Sequence, residues 1–252
     1  MRKAANAMSR RNRESNSLSL SSSHTLHSTT HAAIKVIEQG QVYGRQPADM
    51  HSTQIKLPAS WKTLVQLSEA MAAVDAAAAG LCEGLNDEQL TWTPYRGRWS
   101  VAQNLAHLRM TAEVFLPSVD HALETCRKLK LRSEGPFRLT PYGRLLVWRM
   151  DARPVIKMRA PVAVYPQLLG LPGLELAHFL ASQAAMRQRM ESAEGLDLTA
   201  LRFASPLARY VRVNLLEFFF MFNAHARRHL CQAGKVREAL PRPNYQNVRA
   251  MR

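Results

Sequence analysis

The chain has 252 residues, 46% of them hydrophobic, and a formal net charge of +15, enough for one sizeable folded domain with a tail. Its three cysteines, Cys82, Cys126 and Cys231, are too few and too scattered for a disulfide scaffold or a CxxC metal site, which fits a reducing compartment and a cytoplasmic protein. No apolar run reaches the roughly 18 residues of a membrane span; the best, Leu215 to Phe222, contains Glu217 and leads into Asn223 and Arg227.

Charge is unevenly placed. The first 60 residues contribute +5, and residues 127–159 carry ten Lys/Arg against Glu134 and Asp151. A helix that reads a DNA groove would carry its basic residues along itself. Here the excess lies in a connecting segment, so nucleic-acid binding is not expected.

Residues 1–57 read as a disordered, basic, Ser-rich extension, with few large apolar residues and a Ser/Thr/His run from Ser15 to His31. No continuous apolar stretch follows its basic start, as a secretory signal requires. Its composition resembles an organellar transit peptide, while Met50 offers an alternative start. A dispensable tail is the preferred expectation.

Residues 58–238 are the predicted domain, followed by a flexible tail over 239–252. After Pro58 and a capping Ser60, the residues Leu64, Leu67, Met71, Val74, Ala78, Leu81 and Leu85 recur at spacings of three and four. This is one apolar stripe of a helix ending near Gly80 or Gly84. Asn86 to Gly97 is turn-rich, and its Leu90, Trp92 and Pro94 suit a plug at one end of a bundle. A second helix starts at Ser100, which forms a capping-box pair with Gln103, and its stripe runs Val101, Leu105, Leu108, Ala112, Phe115, Val119. Pro117 cannot donate to the Glu113 carbonyl, which predicts a kink or break before helix resumes through Cys126.

Residues 133–171 hold five prolines and no long periodic run. A connection this long predicts a crossover that lets the second and third helices run parallel. The third helix is expected from Pro172 to about Met190. The fourth opens on the capping pair Asn214 and Glu217 and stops near Gly234. With no convincing set of strands, the fold class is an all-α four-helix bundle.

His225 and His229 lie four apart on one face of the fourth helix, a spacing at which two imidazoles can converge on one ion. That face also carries Phe218, Met221, Phe222 and Gln232, so it points inward. The spacing alone discriminates poorly, since His27 and His31 share it in the Ser-rich tail. His107 adds weight. It shares a face with Ser100, Gln103, Asn104 and Thr111, a polar strip that is costly in a bundle interior unless it lines a wet pocket or holds a ligand. Three histidines with an open position are the pattern of catalytic zinc. His121, about 21 Å further along a straight helix, is too far to share an ion. His178, among Leu176, Ala177 and Phe179, reads as a packed core histidine.

Trp92, Thr93, Pro94 and the run Gly97, Arg98, Trp99, Ser100, Val101, Ala102, Gln103, Asn104, Leu105, Ala106, His107 resemble the first signature of the DinB-like superfamily. His225-Ala-Arg-Arg-His229-Leu-Cys-Gln232 resembles its closing helix, an H-x-x-x-H pair followed by Gln. The resemblance spans roughly residues 60–238. It implies four helices with a long crossover between the second and third, and a nickel, zinc or similar ion held by His107, His225 and His229. It also implies thiol-dependent S-transferase or isomerase activity with a small thiol cosubstrate. Where many members have arginine directly after the second histidine, this chain has Leu230, which places it nearer a less characterised branch. Asn104, Thr111, Arg228 and Gln232 are the candidates for the surrounding pocket.

The resulting expectation is a metal-dependent transferase or hydrolase acting on a small, anionic molecule, with homodimer formation compatible. Two other readings compete. One is a non-enzymatic bundle in which the ion or bare histidine cluster only holds helices together. The other is peripheral membrane contact through residues 142–150, where Leu145, Leu146, Val147 and Trp148 stand among Arg144 and Arg149; its bland counterpart is a lid with a solvated outer face.

Overall fold

The computed structural model describes residues 64–151 and 159–241. The expected N-terminal extension, Ser60 and the tail beyond 241 lie outside these residues. Six helices and a hairpin are described: α1 (Leu64–Cys82), α2 (Asp87–Thr91), α3 (Val101–Lys128), α4 (Pro141–Met150), α5 (Glu175–Glu191), β1 (Phe203–Ser205), β2 (Ala208–Val213) and α6 (Leu215–Glu238).

The stripes read from the sequence are the buried ones. Leu67, Met71, Val74, Ala78 and Leu81 of α1 are buried, as are Val101, Leu105, Leu108, Ala112, Phe115 and Val119 of α3. Helices α1 and α3 each pack against both α5 and α6, so the bundle runs α1, α6, α3, α5 around its axis. Cross-helix bonds fix the directions. Arg109 pairs with Glu175 and Asp120 with Arg189, so α3 and α5 are parallel, as the long crossover predicts. Ser68 meets Glu191 and Asp75 meets Arg187, so α1 is antiparallel to α5. At the end of α6, Arg237 donates to the carbonyls of Gly80, Leu81 and Glu83, satisfying acceptors that the terminus of α1 leaves open.

Helix starts follow the predicted caps. Ser100 accepts from the backbone N–H of Gln103 while the Gln103 side chain accepts from the N–H of Ser100, and Asn214 and Glu217 do the same on α6. Leu90 of α2 is buried with Val101 and Leu105, plugging the bundle as expected, and Trp92 packs beside them.

Several expectations are corrected. Pro117 does not break α3: it and Glu113 face solvent, while Phe115 and Val119 anchor the helix on either side. Helix α6 continues past Gly234 to Glu238, because Val236 is buried and Arg237 is held by α1. The crossover contains a full helix, α4, capped by Thr140, whose side chain accepts from the N–H of Gly143. Strands β1 and β2 form an antiparallel hairpin between α5 and α6, with Val213 buried in the core. One described helix, α1, is long and apolar enough to cross a membrane, which the run-length reading had excluded; it places one stripe in the bundle.

Helix α4 lies on α6 through a close approach at Gly143. A Cβ there would come within 2.6 Å of the Glu217 side chain. That carboxylate is buried and cannot easily retreat, since it accepts from Thr140, from Arg202 and from the N–H of Asn214. Gly143→Ala is therefore expected to destabilise the fold by about 1–3 kcal/mol through overpacking, measured by urea denaturation. An unchanged midpoint would mean that α4 can lift away without cost.

Candidate metal centre

His107 lies two turns into α3, and His225 and His229 sit at mid-helix in α6, where the antiparallel pairing of α3 and α6 brings them together. Their ligand-capable atoms all lie within 4.8 Å of one another. The Nε2 atoms of His107 and His225 are 3.3 Å apart. Two nitrogens bound tetrahedrally to one zinc at 2.0–2.1 Å would stand about 3.3–3.4 Å apart. Ring centroids are 4.5 Å apart for His107 and His229 and 4.6 Å for His225 and His229. His107 and His229 are buried and His225 is partly exposed, so the cluster has an inner and an outer side.

In His107 and His229 the nitrogens turned away from the cluster are already committed. Nδ1 of His107 donates to the backbone carbonyl of Val164, at 2.6 Å; a carbonyl only accepts, so Nδ1 carries the proton and Nε2 the lone pair. Nδ1 of His229 lies 3.1 Å from Oδ1 of Asn104. The amide nitrogen of Asn104 is occupied as donor to the Ser100 carbonyl, so its oxygen faces His229 and accepts. Both rings thus turn an unprotonated Nε2 to the cluster. This is the outer-shell arrangement by which ligating histidines are oriented.

Electrostatics agree. Burial, then the neighbouring histidines and Arg228, hold His229 well below its ordinary pKa. Burial, His107 and Arg228 bring His225 down to about 3. Burial also lowers His107, partly opposed by its bond to Val164. All three are neutral at pH 7, the protonation state that a cation requires.

The remaining candidates divide. Asn104 positions His229. Thr111 is buried but bonds back to the carbonyl of His107 and does not reach the ring nitrogens. Arg228 is partly buried, donates to the carbonyl of Arg149 on α4, and places positive charge beside His225 and His229. Gln232 is partly buried one turn beyond His229 and makes no hydrogen bond to the cluster among the described residues. His121 is exposed and outside the cluster. His178 is corrected: it is partly exposed, and its Nδ1 is enclosed without a hydrogen bond. Leu230 is fully buried in an apolar cluster with Phe179 and Val236, so an arginine there would have to leave the core.

Sequence reasoning passed over three contributors. Trp99 stacks on His229 at 5.6 Å and lies 4.8 Å from His107. Tyr165, half exposed, meets Trp99 edge-on at 5.9 Å, and Val164 supplies the carbonyl. Trp99 stands next to the cap Ser100 in the run that resembles the superfamily's first signature, its one visible signal in the sequence.

A helical bundle with an inward-facing trio of neutral histidines, each borne by a capped central helix, defines the class of protein: a helical domain whose core could hold a metal ion. The family model of the DinB superfamily matches residues 70–233, and the chain belongs to that superfamily. The match takes in all three histidines. No curated protein and no solved structure shows a significant match to the chain.

The lowered histidine pKa values set a pH dependence for the metal-free protein. Unfolded histidine takes a proton near pH 6.5, whereas these folded rings refuse one until lower pH. Stability contributed by the neutral rings is therefore full above about pH 6.5 and falls with decreasing pH, toward about 3 for His225, by up to about 1.4 kcal/mol per pH unit per histidine. Urea titrations of chelator-treated protein between pH 7 and 5 should show this slope, and His225→Asn should make it shallower. Identical slopes would show that His225 titrates normally.

Proposed function

We propose that this protein is a metal-dependent enzyme of the thiol S-transferase or hydrolase kind, binding one divalent cation through Nε2 of His107, His225 and His229 and acting on a small, anionic molecule. The observation that carries this reading is the donor set: three neutral imidazoles on two helices, two of them with their outer nitrogens already bonded and two Nε2 atoms 3.3 Å apart. Imidazole suits zinc and nickel, the two ions proposed. Bound there, such an ion would supply Lewis acidity that lowers the pKa of a coordinated water or thiol.

The chain's own residues supply the rest. The Val164 carbonyl and Asn104 keep the rings of His107 and His229 in one tautomer and orientation. Trp99 and Tyr165 wall the approach with aromatic surface and exclude water from that side. Arg228 offers positive charge for a carboxylate or phosphate of the substrate or of a thiol cosubstrate, reinforced by Arg149 across the α4–α6 contact. No carboxylate joins the cluster among the described residues, so no general base is assigned.

That same lack of an acidic partner favours a second reading, in which the ion only ties α3, α6 and the crossover together. Chelation separates the two. An enzymatic site leaves most of the helical signal and cooperative melting in place after the ion is removed; a structural one loses both.

The test of metal binding is elemental analysis of the purified chain beside the His107→Ala, His225→Ala double variant. About one equivalent in the parent and none in the variant is expected; a metal-free parent, or equal contents, would overturn the reading. Asn104→Ala is expected to weaken the ion by about 10–100-fold in competition with a chelator, whereas Gln232→Ala leaves affinity unchanged.

A further inference from the structure

Helix α4 is not needed to complete the histidine cluster, and its outer side is unusual. Gly143 and Val147 are buried toward α6, while Tyr142, Leu145 and Trp148 stand 41%, 56% and 57% exposed. Leu145 and Trp148 are three apart and share one side of the helix. Single exposed apolar residues are ordinary. An aromatic and a leucine side by side on the solvent face of a ten-residue helix are not the surface of a simple lid.

The rim is uniformly basic. Arg138 and Arg144 are exposed and form no ion pair with any described residue. The nearby acids are already neutralised: Glu217 is buried and paired with Arg202, and Asp151 is paired with Arg227. Arg202 of the hairpin, paired with Glu217, also lies over the ring of Tyr142, at 5.6 Å. The helix is fastened at both ends. Thr140 caps its start and bonds Glu217, and its end is fastened to α6 by Arg227 to Asp151 and Arg228 to the Arg149 carbonyl.

We propose that this face of α4 docks the protein on an anionic lipid bilayer. Trp148 and Leu145 enter the boundary between headgroups and acyl chains, and the arginines meet lipid phosphates and carboxylates. Charge complementarity selects this occupant. A second copy of the chain would set one arginine rim against another, and a nucleic acid would leave Leu145 without a role. The inference does not depend on metal binding.

The probe is vesicle flotation of the full chain with phosphatidylcholine alone and with about 30% phosphatidylserine, at about 0.1 M and 0.5 M salt. Every variant keeps the first 60 residues, since these carry charge of their own. Binding is expected only with the anionic lipid and is weakened by salt. Leu145→Ser with Trp148→Ser should lower partitioning at least tenfold. Arg138→Glu with Arg144→Glu should lower it by about 25-fold or more, taking roughly fivefold per basic residue. Brominated lipid should quench tryptophan fluorescence in the parent and much less in Trp148→Phe, a readout that does not rely on the double variants folding. Absence of binding, or unchanged binding and quenching in the variants, would overturn the proposal. So would variants that alter only oligomeric state in light scattering, or only affinity for a short oligonucleotide.

Discussion

His107 can stand against His225 and His229 only because the nitrogens turned away from the cluster are bonded: one to the backbone carbonyl of Val164, the other to the side chain of Asn104. Without those acceptors, the two buried imidazoles of His107 and His229 would leave polar atoms unpaired in an apolar bundle, each at a cost of about 1–3 kcal/mol. With them, the rings are neutral and oriented. Much of the fold follows from making these two bonds at once. The capped start of α3 places Ser100 to hold Asn104, Asn104 holds His229, and the antiparallel pairing of α3 with α6 sets His225 beside His107. The crossover must then fold back far enough to bring Val164 over α3.

That requirement explains why so much of the chain lies between α3 and α5. A short link would suffice to join antiparallel helices, but α3 and α5 run parallel, so the chain must return the length of the bundle. It uses the return twice. Helix α4 covers α6 and fastens to it near His225 through Arg227 and Arg228. The one-turn helix Val162–Val164 closes over His107. The arginines next to the histidines thereby connect the outer surface of the crossover to the inner surface of the cluster.

The central helices were legible because their signals are local. Ser100 with Gln103 and Asn214 with Glu217 announce their own caps, and apolar residues at spacings of three and four mark the buried faces. The polar strip through Asn104, His107 and Thr111 was legible as an anomaly on an otherwise apolar helix. Helix α4 was not, because prolines at 136, 141, 154 and 161 fill its surroundings and ten residues are too few to establish a period. The hairpin is hidden for a similar reason: β1 has three residues, and β2 shows no period of two, with Arg209 and Tyr210 exposed side by side and its two arginines three apart. The role of Val164 could not be read at all, since every residue has a carbonyl and only the fold decides which one faces a histidine. Trp99 was present in a recognised stretch, but its stacking on His229 depends on how the loop before α3 turns.

The central claim, that these three imidazoles form one cation site, is tested most directly by anomalous diffraction from crystals of the purified protein, collected above and below the zinc and nickel absorption edges. The account predicts a single peak bonded to Nε2 of all three histidines, with Val164 and Asn104 still bonded to the outer nitrogens of His107 and His229. An ion bound elsewhere, or held by fewer than three of these rings, would contradict it.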